Sequence, residues 1–235
     1  MKIEIQDLTV TRPGGIFALK GVSCVFDSHV DASVAVLGAN GAGKSTLLES
    51  ILGLVPFTCG RVVVDEMEVA PKNFHFIRQK IGMVFQNSDN QLFSQTVRED
   101  VAFGPTNLHL GQEEVEERTE KALQQLGITH LARREVTRLS GGEKRLAAVA
   151  GVLAMRPEGI LMDEPTSMLD PRACRELAGH LNGMSGLKII ATHDLSFVRR
   201  VCRRCVILHD GKIFAEGTTD DILERHDLLW ECGLA

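Results

Sequence analysis

Residues 33–46 read SVAVLGANGAGKST, an apolar run that breaks into a glycine-rich turn and ends in Lys-Ser-Thr. Ser33 to Leu37 has the length and composition of a buried strand, and helical character follows Lys44 to about Leu52. Gly38 to Ser45 fits G-x-x-x-x-G-K-[ST] in the strand-to-helix setting that this pattern requires. Glycines there let the backbone curl until successive N–H groups face phosphate oxygens, and the helix start adds free donors and its positive end. Lys44 is placed to reach β- and γ-phosphates and Ser45 to ligate Mg²⁺. Gly38, Asn40, Gly41, Gly43, Lys44, Ser45 and Thr46 are therefore the candidate phosphate cradle.

Outward from this turn, residues 3–10 alternate as a half-buried strand should, and a turn at Pro13-Gly14-Gly15 leads to a second strand near 21–26. Further strands are predicted at 61–64, 80–85, 159–162, 187–191, 205–209 and 212–216, the last two around Asp210-Gly211. Residues 91–155 read as mostly helical. Val115, Thr119, Ala122 and Leu126 form one apolar stripe, and Gly127 is placed to stop that helix. Asp170-Pro171 supplies an N-cap and N1 proline for a helix to about Leu181. The expected organisation is an α/β core (1–87 and 156–235) interrupted by a helical lobe (88–155).

Composition narrows the function classes. Lys+Arg (26) against Asp+Glu (31) gives a net charge of −5, which argues against a non-specific nucleic-acid binder. Tyr is absent and Trp occurs once, so a base-stacking platform is not expected. No stretch approaches the roughly 18 apolar residues of a spanning helix, and MKIEIQDLTV does not read as a secretory leader. Of six scattered cysteines only Cys202 and Cys205 form a C-x-x-C, where packed thiols and a metal or redox pair are both open.

The apolar run Ile160-Leu161-Met162 delivers Asp163 and Glu164 at the carboxyl end of a strand, where open α/β sheets bind ligands. Asp163 suits a holder of Mg²⁺, and Glu164 could polarise the attacking water. His193 follows strand 187–191 in the same position and can donate to phosphate or be an ordinary packed histidine. Gln86 ends strand 80–85, where an amide can bind Mg²⁺ or position water. Ser140-Gly141-Gly142 opens a helix in the lobe and offers a second anion nest, with an ordinary capped helix as the alternative.

Together these segments resemble the nucleotide-binding domain of ABC ATPases from about residue 3 to 225. GANGAGKST matches Walker A, ILMDEP Walker B and LSGGE the signature; Gln86, Ser167 to Asp170 and His193 match the Q-loop, D-loop and switch histidine. The resemblance implies an α/β P-loop NTPase core (RecA-like, ABC-type) with an inserted α-helical subdomain and an N-terminal antiparallel β portion. It also implies ATP and Mg²⁺ as ligands, with two domains dimerising head to tail around ATP. On that pattern Ser140, Gly141 and Gly142 contact the γ-phosphate held by a second ATPase subunit, itself or a paralogue. Ser45, Gln86 and Asp163 hold the metal, Glu164 is the general base, His193 and Lys44 hold the γ-phosphate, and Asp170 helps couple the two sites.

QNSDNQLFSQTVREDVAFGPTNLHL (86–110) and the run from Leu139 to Pro171 are similar to the ATPases of energy-coupling-factor importers, the cobalt/nickel type above all. That implies a transmembrane coupling protein near the Q-loop groove, a small integral substrate-capture protein, no nucleic acid, and a peripheral place on the cytoplasmic membrane face. Alternatives are an ATPase of another ABC importer class (amino acid, peptide or metal) and a soluble non-transport ABC ATPase. Three departures stand out. Arg12 occupies the place of an adenine-stacking aromatic, with Phe17 as a substitute. Glu143 replaces a common Gln, and Leu146 a common basic residue. The chain ends soon after the core.

Overall fold

The computed structural model describes residues 1–234. Two sheets organise it. The first is antiparallel, formed by β1 (Lys2–Arg12), β2 (Ile16–Asp27), β4 (Cys59–Val64) and β5 (Met67–Glu68) in the order β2-β1-β4-β5. The second is formed by β3 (Ser33–Leu37), β6 (Ile81–Val84), β7 (Gly159–Asp163), β8 (Leu187–Thr192), β9 (Arg204–His209) and β10 (Lys212–Thr218) in the order β10-β9-β3-β8-β7-β6. Every pair in it is parallel except β9 with β10, which turn at Asp210-Gly211 with φ of 47° and 76°.

The helices are α1 (Lys44–Ile51), α2 (Phe74–Lys80), α3 (Val97–Asn107), α4 (Gln112–Gln125), α5 (Gly141–Ala154), α6 (Pro171–Gly183), α7 (Leu195–Val201), α8 (Thr219–Glu224) and α9 (His226–Glu231). Helices α3 to α5 form the helical subdomain inserted between β6 and β7. The central strands are apolar on both faces because each face is covered. In β3, Val34 and Val36 pack into the core beneath the antiparallel sheet and α1, while Ala35 and Leu37 pack into the core shared with α5, α6 and α7. Leu161 divides from Ile160 and Met162 in the same way along β7. Period-two alternation thus sorts one apolar run into two cores.

Several boundaries differ from the sequence expectation. The alternation of β1 breaks between Ile5 and Leu8, where Asp7 adopts φ 47° and the pairing register shifts; a bulge keeps Leu8 and Val10 inside. Strand β2 begins at Ile16 rather than near 21, because Arg12 pairs with Ile16 immediately across the Pro-Gly turn. In α4, Thr119, Ala122 and Leu126 are buried as the stripe predicts and Leu123 joins them, but Val115 lies half-buried. Asp170 caps α6 by accepting from the N–H groups of Arg172 and Ala173 at 2.8 Å. No helix among the described residues is long and apolar enough to cross a membrane.

Candidate functional site

The carboxyl ends of β3, β7 and β8 lie side by side in the sheet, so the loops that follow them share one rim. A cleft of about 490 Å³ opens there, lined by Arg12, Asn40, Gly41, Gly43 to Thr46, Gln86, Asp163 and Glu164, among others. The glycine-rich turn enters α1 through Gly43, whose φ of 108° excludes an ordinary side chain. A Cβ at Gly43 would sit 2.6 Å from the Ala18 carbonyl oxygen and 2.8 Å from Leu19 Cδ2. The turn is therefore pressed against β2.

Lys44 is 6% exposed, and its ammonium donates to the carbonyls of Gly38 (2.8 Å) and Ala39 (3.2 Å). It also lies 3.5 Å from Glu164 Oε1. Glu164 accepts from the Thr192 hydroxyl at 3.0 Å and meets His193 Nδ1 at 3.0 Å. Its own backbone is left-handed, φ 47°, held by its N–H to Ala191 O at 2.8 Å. A strained residue held in place by sheet and side-chain bonds is characteristic of a site where position matters.

Asp163 is 3% exposed, and its Oδ1 has no hydrogen-bond partner. Burial raises its pKa, with the Glu164 charge adding to that, while the facing Ser45 hydroxyl and Lys44 ammonium act in the opposite direction. A buried carboxylate oxygen left without a donor is costly unless a cation completes it. Oxygen donors from Ser45, Asp163 and the Gln86 amide suit a hard cation such as Mg²⁺.

His193 adjoins the cleft through Glu164 and, with Asn40, Gln86 and Asp194, lines a neighbouring depression. Arg12 borders the cleft with a partly exposed side chain. Its Nη2 donates to Thr46 Oγ1 (2.9 Å) and Glu49 Oε2 (2.7 Å), which straps β1 to α1. Ile16 and Phe17 are exposed on the same cleft wall.

Within one chain Ser140, Gly141, Gly142 and Asp170 do not line this cleft. Ser140 opens α5 as a capping box: its Oγ accepts from Glu143 N–H at 3.3 Å, and Glu143 Oε2 accepts from Ser140 N–H at 2.8 Å. Glu143 also pairs with Arg134 at 2.8 Å, which gives this residue type a local reason. The N–H groups of Gly141 and Gly142, in the first helical turn, have no intrahelical acceptor. Met168 of the D-loop rests on Gly141.

A second, apolar cleft of about 270 Å³ is bordered by Leu54, Phe85, Phe93, Phe103 and Met155. Phe93 and Phe103 are exposed and meet edge to face, with ring centres 4.6 Å apart. The cysteine pair is packed: Cys202 and Cys205 are buried, and burial pushes their thiols up to about 12 and about 11. Residue-by-residue reading missed Thr192 and Arg145. Thr192 could have been noticed as a hydroxyl at a strand end beside His193, and Arg145 as a charge on the buried stripe of α5.

The profile of the ABC transporter family matches residues 22–167. An energy-coupling factor transporter ATP-binding protein EcfA from Carboxydothermus hydrogenoformans is 41% identical over 237 residues, covering 100% of this chain and 87% of that protein. The EcfA of Methanothermobacter thermautotrophicus is 41% identical, covering 99% and 76%. Among solved structures, cbiO1 from Clostridium perfringens, part of the ABC transporter complex cbiONQ, superposes with a TM-score of 0.83 at 33% identity over 99% of this chain and 94% of its own. An ATP-binding cassette solved as a dimer in a post-hydrolysis state with ADP and Pi gives a TM-score of 0.85 at 28% identity, covering 92% and 98%.

Proposed function

The chain belongs to the ABC transporter family as an ATP-binding subunit closely related to energy-coupling-factor ATPases, and on that premise we propose that its ATPase activity drives import of a cobalt- or nickel-type metal ion, or a vitamin, through separate membrane subunits. The observation that carries the chemistry is the buried cluster in which Glu164 lies 3.5 Å from Lys44 beside the unpaired Oδ1 of Asp163.

In this reading Lys44 leaves the Gly38 and Ala39 carbonyls for the β- and γ-phosphates, while loop N–H groups from Gly41 to Thr46 and the start of α1 hold the remaining oxygens. Glu164, released from Lys44, accepts the proton of the attacking water, and Thr192 fixes the carboxylate's orientation. His193 exchanges Glu164 for the γ-phosphate. Ser45, Gln86 and Asp163 would hold Mg²⁺, which neutralises charge on the phosphate oxygens. Adenine rests near Ile16 and Phe17.

Ser140, Gly141 and Gly142 face the γ-phosphate held by a second ATPase subunit, a copy or a paralogue, and Asp170 fixes the D-loop between the two sites. The helical lobe, 88–155, moves against the core. The apolar cleft at Phe93 and Phe103 supports docking of short helices from a transmembrane coupling protein, which would hold the chain at the cytoplasmic membrane face; a small membrane protein captures the cargo.

Glu164→Gln tests the chemistry. ATP-dependent dimers should accumulate while turnover falls on the order of 10²-fold or more; unchanged turnover rejects that role. Uptake in cells co-expressing the chain with a coupling protein and a capture protein tests the cargo. ATP-dependent entry of labelled Co²⁺, Ni²⁺ or a vitamin is expected, and stimulation only by an amino-acid or peptide permease would refute it.

A further inference from the structure

Arg145 lies in the second turn of α5, five residues after the Ser140 cap, and is 2% exposed. Its Nη1 donates to Phe85 O at 2.5 Å and its Nη2 to Gln86 O, while Nε is buried without a partner. No carboxylate lies within ion-pair distance of it among the described residues; Asp163 and Glu164 act on it only from further away. A buried guanidinium without a carboxylate is expensive, and apolar packing would serve a purely structural helix better. The fork geometry explains the choice of arginine: two separate nitrogens on one rigid plane each take one of two successive carbonyls and fix their relative direction, whereas a lysine would bring both to a single nitrogen on a flexible stem.

Two neighbouring contacts tie the same pair of segments. Lys144 pairs with Asp89 at 2.5 Å, and Gln91 Nε2 donates to Ala148 O at 3.3 Å while its Oε1 accepts from Phe85 N–H at 3.1 Å. Residues 144, 145 and 148 lie on one face of α5, so segment 85–91 is fastened along the helix that begins at the signature turn. The side chain of Gln86 is exposed and borders the cleft of Asp163 and Glu164, the depression of His193 and the cleft of Gly141 and Met168. The range open to that amide is set by its main chain, and Arg145 holds the Gln86 carbonyl of that main chain.

We propose that Arg145 is a positioning residue for ATP hydrolysis, clamping the Phe85 and Gln86 carbonyls so that the Gln86 amide follows the signature helix. Displacement of the signature turn then moves Gln86 toward or away from Asp163 and Glu164 as part of one rigid unit. The inference rests on the reading of Gln86 as a metal- or water-holding group, which the Gln86→Ala variant tests separately.

The experiment is a double-mutant cycle on ATP turnover by the full chain, with Arg145→Lys, Gln86→Ala and the pair. Arg145→Lys keeps the charge and loses the fork. It should lower kcat about 10- to 100-fold, as misplacement of a catalytic group does, and raise the Mg²⁺ concentration needed for half-maximal rate. ATP binding without Mg²⁺ should stay within about twofold, since Arg145 does not line the phosphate cleft. Adding Gln86→Ala should cost little more than the larger single loss. Normal kcat and Mg²⁺ dependence in Arg145→Lys would overturn the proposal, as would losses that multiply in the double variant. An inert Gln86→Ala beside an impaired Arg145→Lys would overturn it too, because Arg145 would then act by another route.

If Arg145→Lys does not fold, hydrogen exchange on the unmodified chain decides. Segments 85–91 and 140–150 should change protection together across a MgATP titration. A change in one without the other rejects the clamp.

Discussion

Replacing Gly43 by alanine should abolish tight ATP binding, and replacing Gly41 should weaken it only moderately. Both residues have positive φ, 108° and 84°. Forcing an L-residue into such a conformation costs about 1–3 kcal/mol. A Cβ at Gly41 meets nothing within 4 Å, so Gly41→Ala carries that cost alone. A Cβ at Gly43 falls 2.6 Å from the Ala18 carbonyl oxygen, a main-chain atom of β2 that, unlike a side chain, has no rotamer by which to give way. Relieving the overlap adds about 1–3 kcal/mol, by analogy with overpacked cores. The nucleotide-free chain escapes the strain by reshaping the turn, and ATP must then restore it. At about 1.4 kcal/mol per factor of ten, Gly41→Ala should bind ATP about 5- to 100-fold more weakly, and Gly43→Ala about 30-fold to more than 1,000-fold. Titration calorimetry with ATP measures both, and thermal melting shows that the rest of the chain stays folded. Equal losses, or a greater loss at Gly41, would refute the argument that contact with Ala18 sets the shape of the turn.

Asp163→Asn should stabilise the nucleotide-free chain at neutral pH while lowering Mg²⁺-dependent turnover. Burial raises the pKa of Asp163, so its destabilising charge is present above that raised value and disappears as pH falls toward its unfolded value. The melting temperatures of variant and parent should therefore converge on acidification; a gap that widens would contradict the sign. Glu143→Gln should change stability at neutral pH by less than about 1 kcal/mol, because Gln also closes a capping box and the Arg134 pair is exposed. The carboxyl of Glu143 is held below its usual range, chiefly by the Ser140 N–H, so its charge stabilises the fold above its unfolded pKa and that contribution fades as pH falls through the lowered value. Acid melts should show the parent losing its advantage over Glu143→Gln. Asp100→Ala removes an acceptor that takes the Phe93 and Ser94 N–H groups at 2.8 and 2.7 Å, and urea unfolding should show a loss of about 2–4 kcal/mol. A loss under about 1 kcal/mol would mean that water replaces the carboxylate freely.

The architecture was legible wherever local pattern and burial agreed. The glycine-rich turn, the two-faced strands at Ser33–Leu37 and Gly159–Asp163, and the Asp170 cap are each specified by neighbours in sequence. What escaped depends on partners far along the chain. The bulge at Asp7 answers to Ser23, whose hydroxyl accepts the Asp7 N–H at 2.8 Å. The ties of Arg12 to Thr46 and Glu49, 34 and 37 residues away, are not visible from its own neighbours. Thr192 acquires meaning only when β7 and β8 pair and bring Glu164 to its hydroxyl. Arg145 lies 60 residues from Phe85, and helical periodicity shows a charge on an apolar stripe without showing what it grips.

The internal contacts of Lys44 have a consequence for what can bind there. Its ammonium is shared among Gly38 O, Ala39 O and the Glu164 carboxylate, so the buried positive and negative charges compensate each other inside the chain. A ligand that takes Lys44 has to replace all three contacts at once, which favours a polyanion with several charged oxygens over a neutral or singly charged group. Lys44 thus acts as a selective latch, opened by a ligand rich in anionic oxygen and left closed by a weaker one.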